Sequence, residues 1–92
     1  MGLPHADPGL ALTVVPNPSG TGEFSLSVAG GVAGPLRLTI VDALGRVVLR
    51  DEWLANSSTD RTLNLRDQQP GVYGLRLVLP DGRVATRRLL RL

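Results

Sequence analysis

Pro70-Gly71-Val72-Tyr73-Gly74-Leu75-Arg76-Leu77-Val78-Leu79-Pro80-Asp81-Gly82-Arg83 is the stretch whose reading decides the fold. Pro70 presets φ for the second position of a tight turn, and Gly71 supplies the positive φ that a type II turn needs next, which predicts a strand from Val72 to Leu79. Pro80-Asp81-Gly82 is then a hairpin signal, with Gly82 in the left-handed position of a G1 bulge. The returning strand, Val84 to Leu92, sets Arg87, Arg88 and Arg91 among Leu89, Leu90 and Leu92. Such a run is either a half-buried strand or an address for a partner. The register set by Gly82 pairs Tyr73 with Leu89, whereas Leu90 and Leu92 offer the opposite parity.

Working outward, residues 1–9 carry Pro4, Pro8, Gly2 and Gly9 without periodicity and read as a linker or tail. Leu10 to Val15 is a first strand, with Leu10, Leu12 and Val14 on one face, and Pro16-Asn17-Pro18 ends it by removing two ladder donors. Glu23-Phe24-Ser25-Leu26-Ser27-Val28 alternates strictly, with Phe24, Leu26 and Val28 inward. After a glycine-rich connection, Leu36 to Val41 is a third strand. Asp42-Ala43-Leu44-Gly45 has the Asp and Gly of a type I turn, and the chain returns from Arg46 to about Trp53. This turn predicts Val41 opposite Val47 and Arg37 opposite Asp51. Arg61 to Leu65 is a short strand with Leu63 and Leu65 inward.

Seven short strands with closely spaced turn signals and no 3.6 periodicity predict an all-β, immunoglobulin-like antiparallel sandwich. Its 92 residues make one domain, 10–92 following the 1–9 tail. Aromatics are only Phe24, Trp53 and Tyr73, so the core must be Leu and Val. The absence of cysteine excludes disulfides and thiolate chemistry. The net charge is +2 and all ten basic residues are arginine. The basic run from Arg83 to Arg91 has no interleaved aromatics, which argues against nucleic acid. No apolar run approaches the roughly 20 residues of a membrane span, so no membrane insertion is expected.

Little in the chain points to catalysis, a metal or a cofactor, and none is expected. His5, the only histidine, stands in the tail with only Asp7 near it. Asp42 and Asp81 are explained by turns, and no carboxylate pair stands out. Trp53 is open to two readings, a sugar-stacking platform or packing over the core edge. Asn56-Ser57-Ser58 matches the glycosylation triplet within a Ser/Thr-rich loop.

The order of these motifs resembles a known family. Val15-Pro16-Asn17-Pro18, then Gly22-Glu23-Phe24-Ser25-Leu26, Leu38 to Asp42 with Gly45-Arg46-Val47-Val48, Leu63-Asn64-Leu65 with Pro70-Gly71-Val72-Tyr73, and finally Arg87-Arg88-Leu89-Leu90 together look like the type A C-terminal sorting domain of bacterial type IX secretion. The resemblance implies a non-catalytic signal that carries an upstream cargo domain through the periplasm and across the outer membrane. It implies as partners an outer-membrane translocon with its shuttle protein and a sortase-like cysteine peptidase that removes the domain before anchoring the cargo at the cell surface. On this resemblance Pro16, Asn17, Pro18, Gly45, Arg46, Gly71, Val72 and Tyr73 are framework positions, and Arg87, Arg88, Leu89, Leu90, Arg91 and Leu92 carry the recognition. The chain departs from the family in having Arg where Lys is common in the last strand, which keeps the charge and alters hydrogen-bond geometry. The alternative is an immunoglobulin-like accessory or carbohydrate-binding module of a secreted enzyme. A flagellar hook-cap domain shares the Asp-x-x-Gly-Arg and Gly-Val-Tyr pattern but usually places a Trp-Asp-Gly element before the Gly-Val-Tyr turn, where this chain reads Leu63-Asn64-Leu65-Arg66-Asp67 and has its Trp earlier, at Trp53.

Overall fold

The computed structural model describes residues 11–29, 33–55 and 59–92. The expected tail with His5 and Asp7, together with Leu10 and the Asn56-Ser57-Ser58 triplet, lies outside the described residues. Seven strands are present: β1 Ala11–Val15, β2 Glu23–Ala29, β3 Gly34–Val41, β4 Val47–Ala55, β5 Thr59–Asn64, β6 Gly71–Val78 and β7 Val84–Arg91. They form two antiparallel sheets, β1-β2-β5 and β4-β3-β6-β7, packed as an immunoglobulin-like sandwich. Compared with the constant-type arrangement, the fourth strand has moved from the first sheet to the second.

Period-two patterning builds the interior. Phe24, Leu26 and Val28 from β2 meet Leu36, Leu38 and Ile40 from β3 and Leu75 and Leu77 from β6, all essentially without solvent exposure. Each such side chain contributes about 1.5–3 kcal/mol on burial. The ambiguous parity of β7 is resolved by its neighbour. Tyr73 pairs with Leu89, so Leu89 is fully buried, while Leu90 turns to the other face and Leu92 is exposed.

Both hairpins close by the same backbone scheme. Gly45 N donates to Asp42 O and Asp42 N to Arg46 O, and Gly82 N donates to Leu79 O and Leu79 N to Arg83 O, at 2.8–2.9 Å. Gly45 and Gly82 have φ of +86° and +94°, which only glycine adopts without strain. In the first hairpin, however, the pairing shifts by one residue between Ile40 and Val41. Val41 does face Val47, but Arg37 lies opposite Glu52 rather than the expected Asp51, and Arg37 Nε is 3.4 Å from Glu52. The bulge places Asp51 opposite Leu38, on the inward parity, where it pairs with Arg61 of β5 at 2.9 Å and ties the two sheets together.

The expected type II turn at Pro70-Gly71 is also corrected. The hydrogen-bonded turn lies earlier, with Gln68 N donating to Leu65 O at 3.0 Å, and Arg66 N donating to the Asn64 side chain at 2.9 Å. Gly71 has φ +154°, far from the about +80° of a type II turn, and already begins β6. The physical reason is the ladder: Gly71 pairs with Arg91 of β7 and is held extended. The Tyr73 hydroxyl donates to Gln69 O, just ahead of it. This is the tyrosine corner of immunoglobulin-like domains.

Candidate functional site

Antiparallel pairing brings the separated motifs to one end of the sandwich. Val15 ends β1 opposite Ser25, Val41 ends β3 opposite Val47 and Gly74, and Gly71 begins β6 opposite Arg91. The Pro16-Asn17-Pro18 loop, the Asp42–Arg46 turn, Gly71-Val72-Tyr73 and the end of β7 therefore share one pole. Ala11 lies at the other pole, where it pairs with Ala29 and where the hairpin from Val78 to Val84 closes.

Both proline bonds of the loop, Val15-Pro16 and Asn17-Pro18, are cis. The loop runs along the free edge of β7. Asn17 Nδ2 donates to Arg88 O at 2.7 Å, and Leu90 N donates to Asn17 Oδ1 at 3.0 Å. Ser19 N donates to Leu90 O and Leu92 N to Ser19 O, each at 2.9 Å. An edge strand with open amides and carbonyls is a template for unwanted pairing. Here the edge from Arg88 to Leu92 is closed by the first loop of the domain.

Ser19 and Gly22 add to the site residues expected from sequence; Gly22 stands in a family motif without a site role, and no local pattern marks Ser19. Ser19 is fully buried, and its hydroxyl accepts from Gly22 N at 3.0 Å and donates to Glu23 O at 2.8 Å. Gly22 has φ +90°. Across it Arg91 reaches the carbonyls of Leu65 at 3.0 Å and Arg66 at 3.2 Å. The six terminal residues thus divide. Leu89 belongs to the core, Arg91 braces the β5–β6 connection, and Arg87 donates to Leu12 O at 3.2 Å. Arg88 and Leu92 project outward, with Leu90 half-buried.

Arg46 and Gly71-Val72-Tyr73 line one concavity of about 390 Å³ at this pole, between the Asp42–Arg46 turn and the tyrosine corner. Asp42 is committed within it. Its carboxylate accepts from the amides of Leu44 and Arg46 and from Arg46 Nε, all at 2.9 Å. These bonds, the Arg46 amide foremost, hold its carboxyl below the usual range. Around this pole stand five of the seven large apolar side chains that are exposed among the described residues, Val15, Leu44, Val47, Val72 and Leu92.

A family profile described as the secretion system C-terminal sorting domain matches residues 13–90. The chain belongs to this type IX secretion family. The domain is thus a C-terminal sorting signal, a class of non-catalytic module that implies an upstream cargo and export of the parent protein through the secretion machinery. No curated protein is similar in sequence. Among solved structures, the β-glucosidase from Listeria innocua in complex with isofagomine aligns with a TM-score of 0.50 at 14% identity, over 89% of the sorting domain and 16% of the enzyme. The same enzyme in complex with glucose gives 0.49 at 12% identity, with the same 89% and 16% coverage. The sorting domain spans about a sixth of that enzyme's length, and at this identity the likeness is one of fold alone.

Trp53 is half-buried against the core, and the Arg61 guanidinium lies 4.7 Å over its ring. With that face taken, the ring offers less of a sugar platform than an open indole would. The same guanidinium holds the Asp51 carboxyl below its ordinary range and is itself raised by the pairing.

Proposed function

We propose that the pole carrying the framework motifs is the surface by which the type IX translocon and its shuttle engage the folded domain, and that Arg88, Leu90 and Leu92 are the members of the terminal run that touch the partner directly. The observation that carries this reading is the gathering of exposed apolar side chains there, Leu44 at 79%, Leu92 at 61%, Val15 at 52% and Val72 at 46% exposure. Exposed apolar residues concentrated at one place favour association. Leu89 and Arg91 act through the fold, by keeping the last strand in place. In the parent protein the cargo precedes β1. A sortase-like cysteine peptidase cuts in the linker ahead of that strand, within residues 1–9 or further upstream, and attaches the cargo to the cell surface.

Export of a reporter carrying a signal peptide and residues 1–92, in a type IX-competent bacterium, tests the reading. Deleting Arg87 to Leu92 is a poor comparison, because it removes Leu89 from the core. The triple variant Leu44→Ser, Val72→Ser, Leu92→Ser alters only exposed positions. The intact fusion should reach the surface or medium, and the triple variant should stay folded in the periplasm. Equal export of both sinks the assignment of the pole, and failure of both sinks the sorting reading in that host.

A further inference from the structure

The outer face of the four-stranded sheet carries charge that the fold leaves uncompensated. Pairing puts Arg50, Thr39, Arg76 and Thr86 in one row across β4, β3, β6 and β7. The neighbouring row runs Val41, Gly74, Arg88 across β3, β6 and β7. Arg50 and Arg76 stand two strand spacings apart, about 10 Å, and Arg88 is a diagonal neighbour of Arg76 at about 7–8 Å. All three are exposed, and among the described residues none of the three side chains has a hydrogen bond or ion pair. The carboxylate on this face, Glu52, is taken up by Arg37. A shallow depression of about 430 Å³ runs along Arg37, Thr39, Arg50 and Glu52.

A second, independent observation marks the same place. Glycine in mid-strand weakens a sheet and often signals close approach of another chain. Gly74 does not have the positive φ that explains Gly22, Gly34, Gly45 and Gly82. A Cβ built on it meets only Val41 Cγ2, at an ordinary 3.5 Å. Among the described residues nothing calls for glycine there. It leaves a notch beside Arg76 and Arg88, bordered by Val72, which is 46% exposed.

We infer that this face, centred on Gly74, is a docking surface for an acidic protein surface of the secretion machinery, with carboxylates set against Arg50, Arg76 and Arg88 and a side chain or backbone seated in the notch. The inference rests on the sorting reading. Three exposed guanidiniums without counter-charge complement an acidic surface. Interleaved valines and a shallow surface fit a protein, whose interfaces are rich in arginine and apolar contacts, better than a phosphate cluster, which would favour a concave nest of amides.

Binding of the 92-residue chain to purified translocon with its shuttle, measured across a salt series, tests this. Arg76→Glu with Arg88→Glu should weaken binding by at least about tenfold and abolish most of its salt dependence. Lysine at the same two positions should stay within about threefold of wild type, since the charge is kept. Gly74→Leu, which changes no charge and has room for its Cβ, should lose binding while thermal unfolding remains cooperative. Wild-type binding that survives both the reversal and Gly74→Leu overturns the inference and leaves the sorting reading standing. No binding by the wild-type chain sinks both. Loss of binding to lipopolysaccharide vesicles on reversal, with translocon binding unchanged, overturns the protein assignment in favour of a phosphate-bearing lipid.

Discussion

Gly22 is the floor over which Arg91 reaches the next strand connection. A Cβ on Gly22 would stand 2.8 Å from Arg91 Nε and 3.0 Å from both Leu65 O and Arg66 Cα, at a φ of +90°. The first loop and the last strand are thereby fitted to one another at a single point. Gly22→Ala should destabilise by about 1–3 kcal/mol through backbone strain and displacement of the guanidinium. Gly20→Ala, where nothing lies within 4 Å, should stay within about 0.5 kcal/mol of wild type. Urea denaturation of the pair checks this, and equal midpoints would show that Arg91 gives way freely.

Asn17 offers a sharper test of the closed edge. Asn17→Ala removes the donor to Arg88 O and the acceptor for Leu90 N. The expected loss is about 1–2 kcal/mol for two exposed hydrogen bonds. Amide hydrogen exchange at Leu90 should accelerate well beyond that at Leu75 of β6, which β3 and β7 hold inside the sheet. Uniform acceleration across the domain would mean that the loop stabilises the fold without guarding the edge.

Leu89 and Leu92 should separate cleanly. Leu89→Ala empties a fully buried site and should lower stability by about 2–5 kcal/mol. Leu92→Ala should leave stability within about 0.5 kcal/mol. Measured side by side with export, the two variants distinguish loss of fold from loss of contact. A fully stable Leu89→Ala protein would contradict the register with Tyr73.

Much of this was legible beforehand, for local reasons. Phe24, Leu26 and Val28 alternate without interruption, so their face needs no neighbour to decide it. Gly45 and Gly82 announce their turns because left-handed backbone excludes other residues. Arg37 pairs with Glu52 rather than Asp51 because a bulge moves every pairing beyond it by one residue and leaves no mark in composition. Gly71 is drawn out of a turn by its pairing with Arg91, a partner distant in sequence that no local signal records. Asn17 and Leu90 meet by a side-chain-to-backbone bond between distant loop and strand positions, which no periodicity records. The site was legible as a set of motifs and became a pole only through topology.

Acid should weaken the sandwich. The carboxyls of Asp42 and Asp51 are held below their ordinary values in the folded chain, Asp42 chiefly by the Arg46 amide and Asp51 chiefly by the Arg61 guanidinium. Groups that titrate lower when folded stabilise above the unfolded value of about 3.9 and lose that contribution as pH falls below it. Urea midpoints should therefore be steady from about pH 7 to 5 and drop below about pH 4. Asp51→Asn should make that drop shallower. An unchanged acid limb would place the sensitivity elsewhere.

β1 begins, at Ala11, at the end of the sandwich opposite Arg91, about 25 Å or one strand's length away. On the proposed reading, a machine that holds the domain at the pole of Arg88, Leu90 and Leu92 meets the same shape whatever precedes Ala11. Bulky, charged or flexible passengers stay out of the holding surface, and their own folding does not disturb it. One receptor can then serve many unrelated proteins, because the handle never asks what it is attached to.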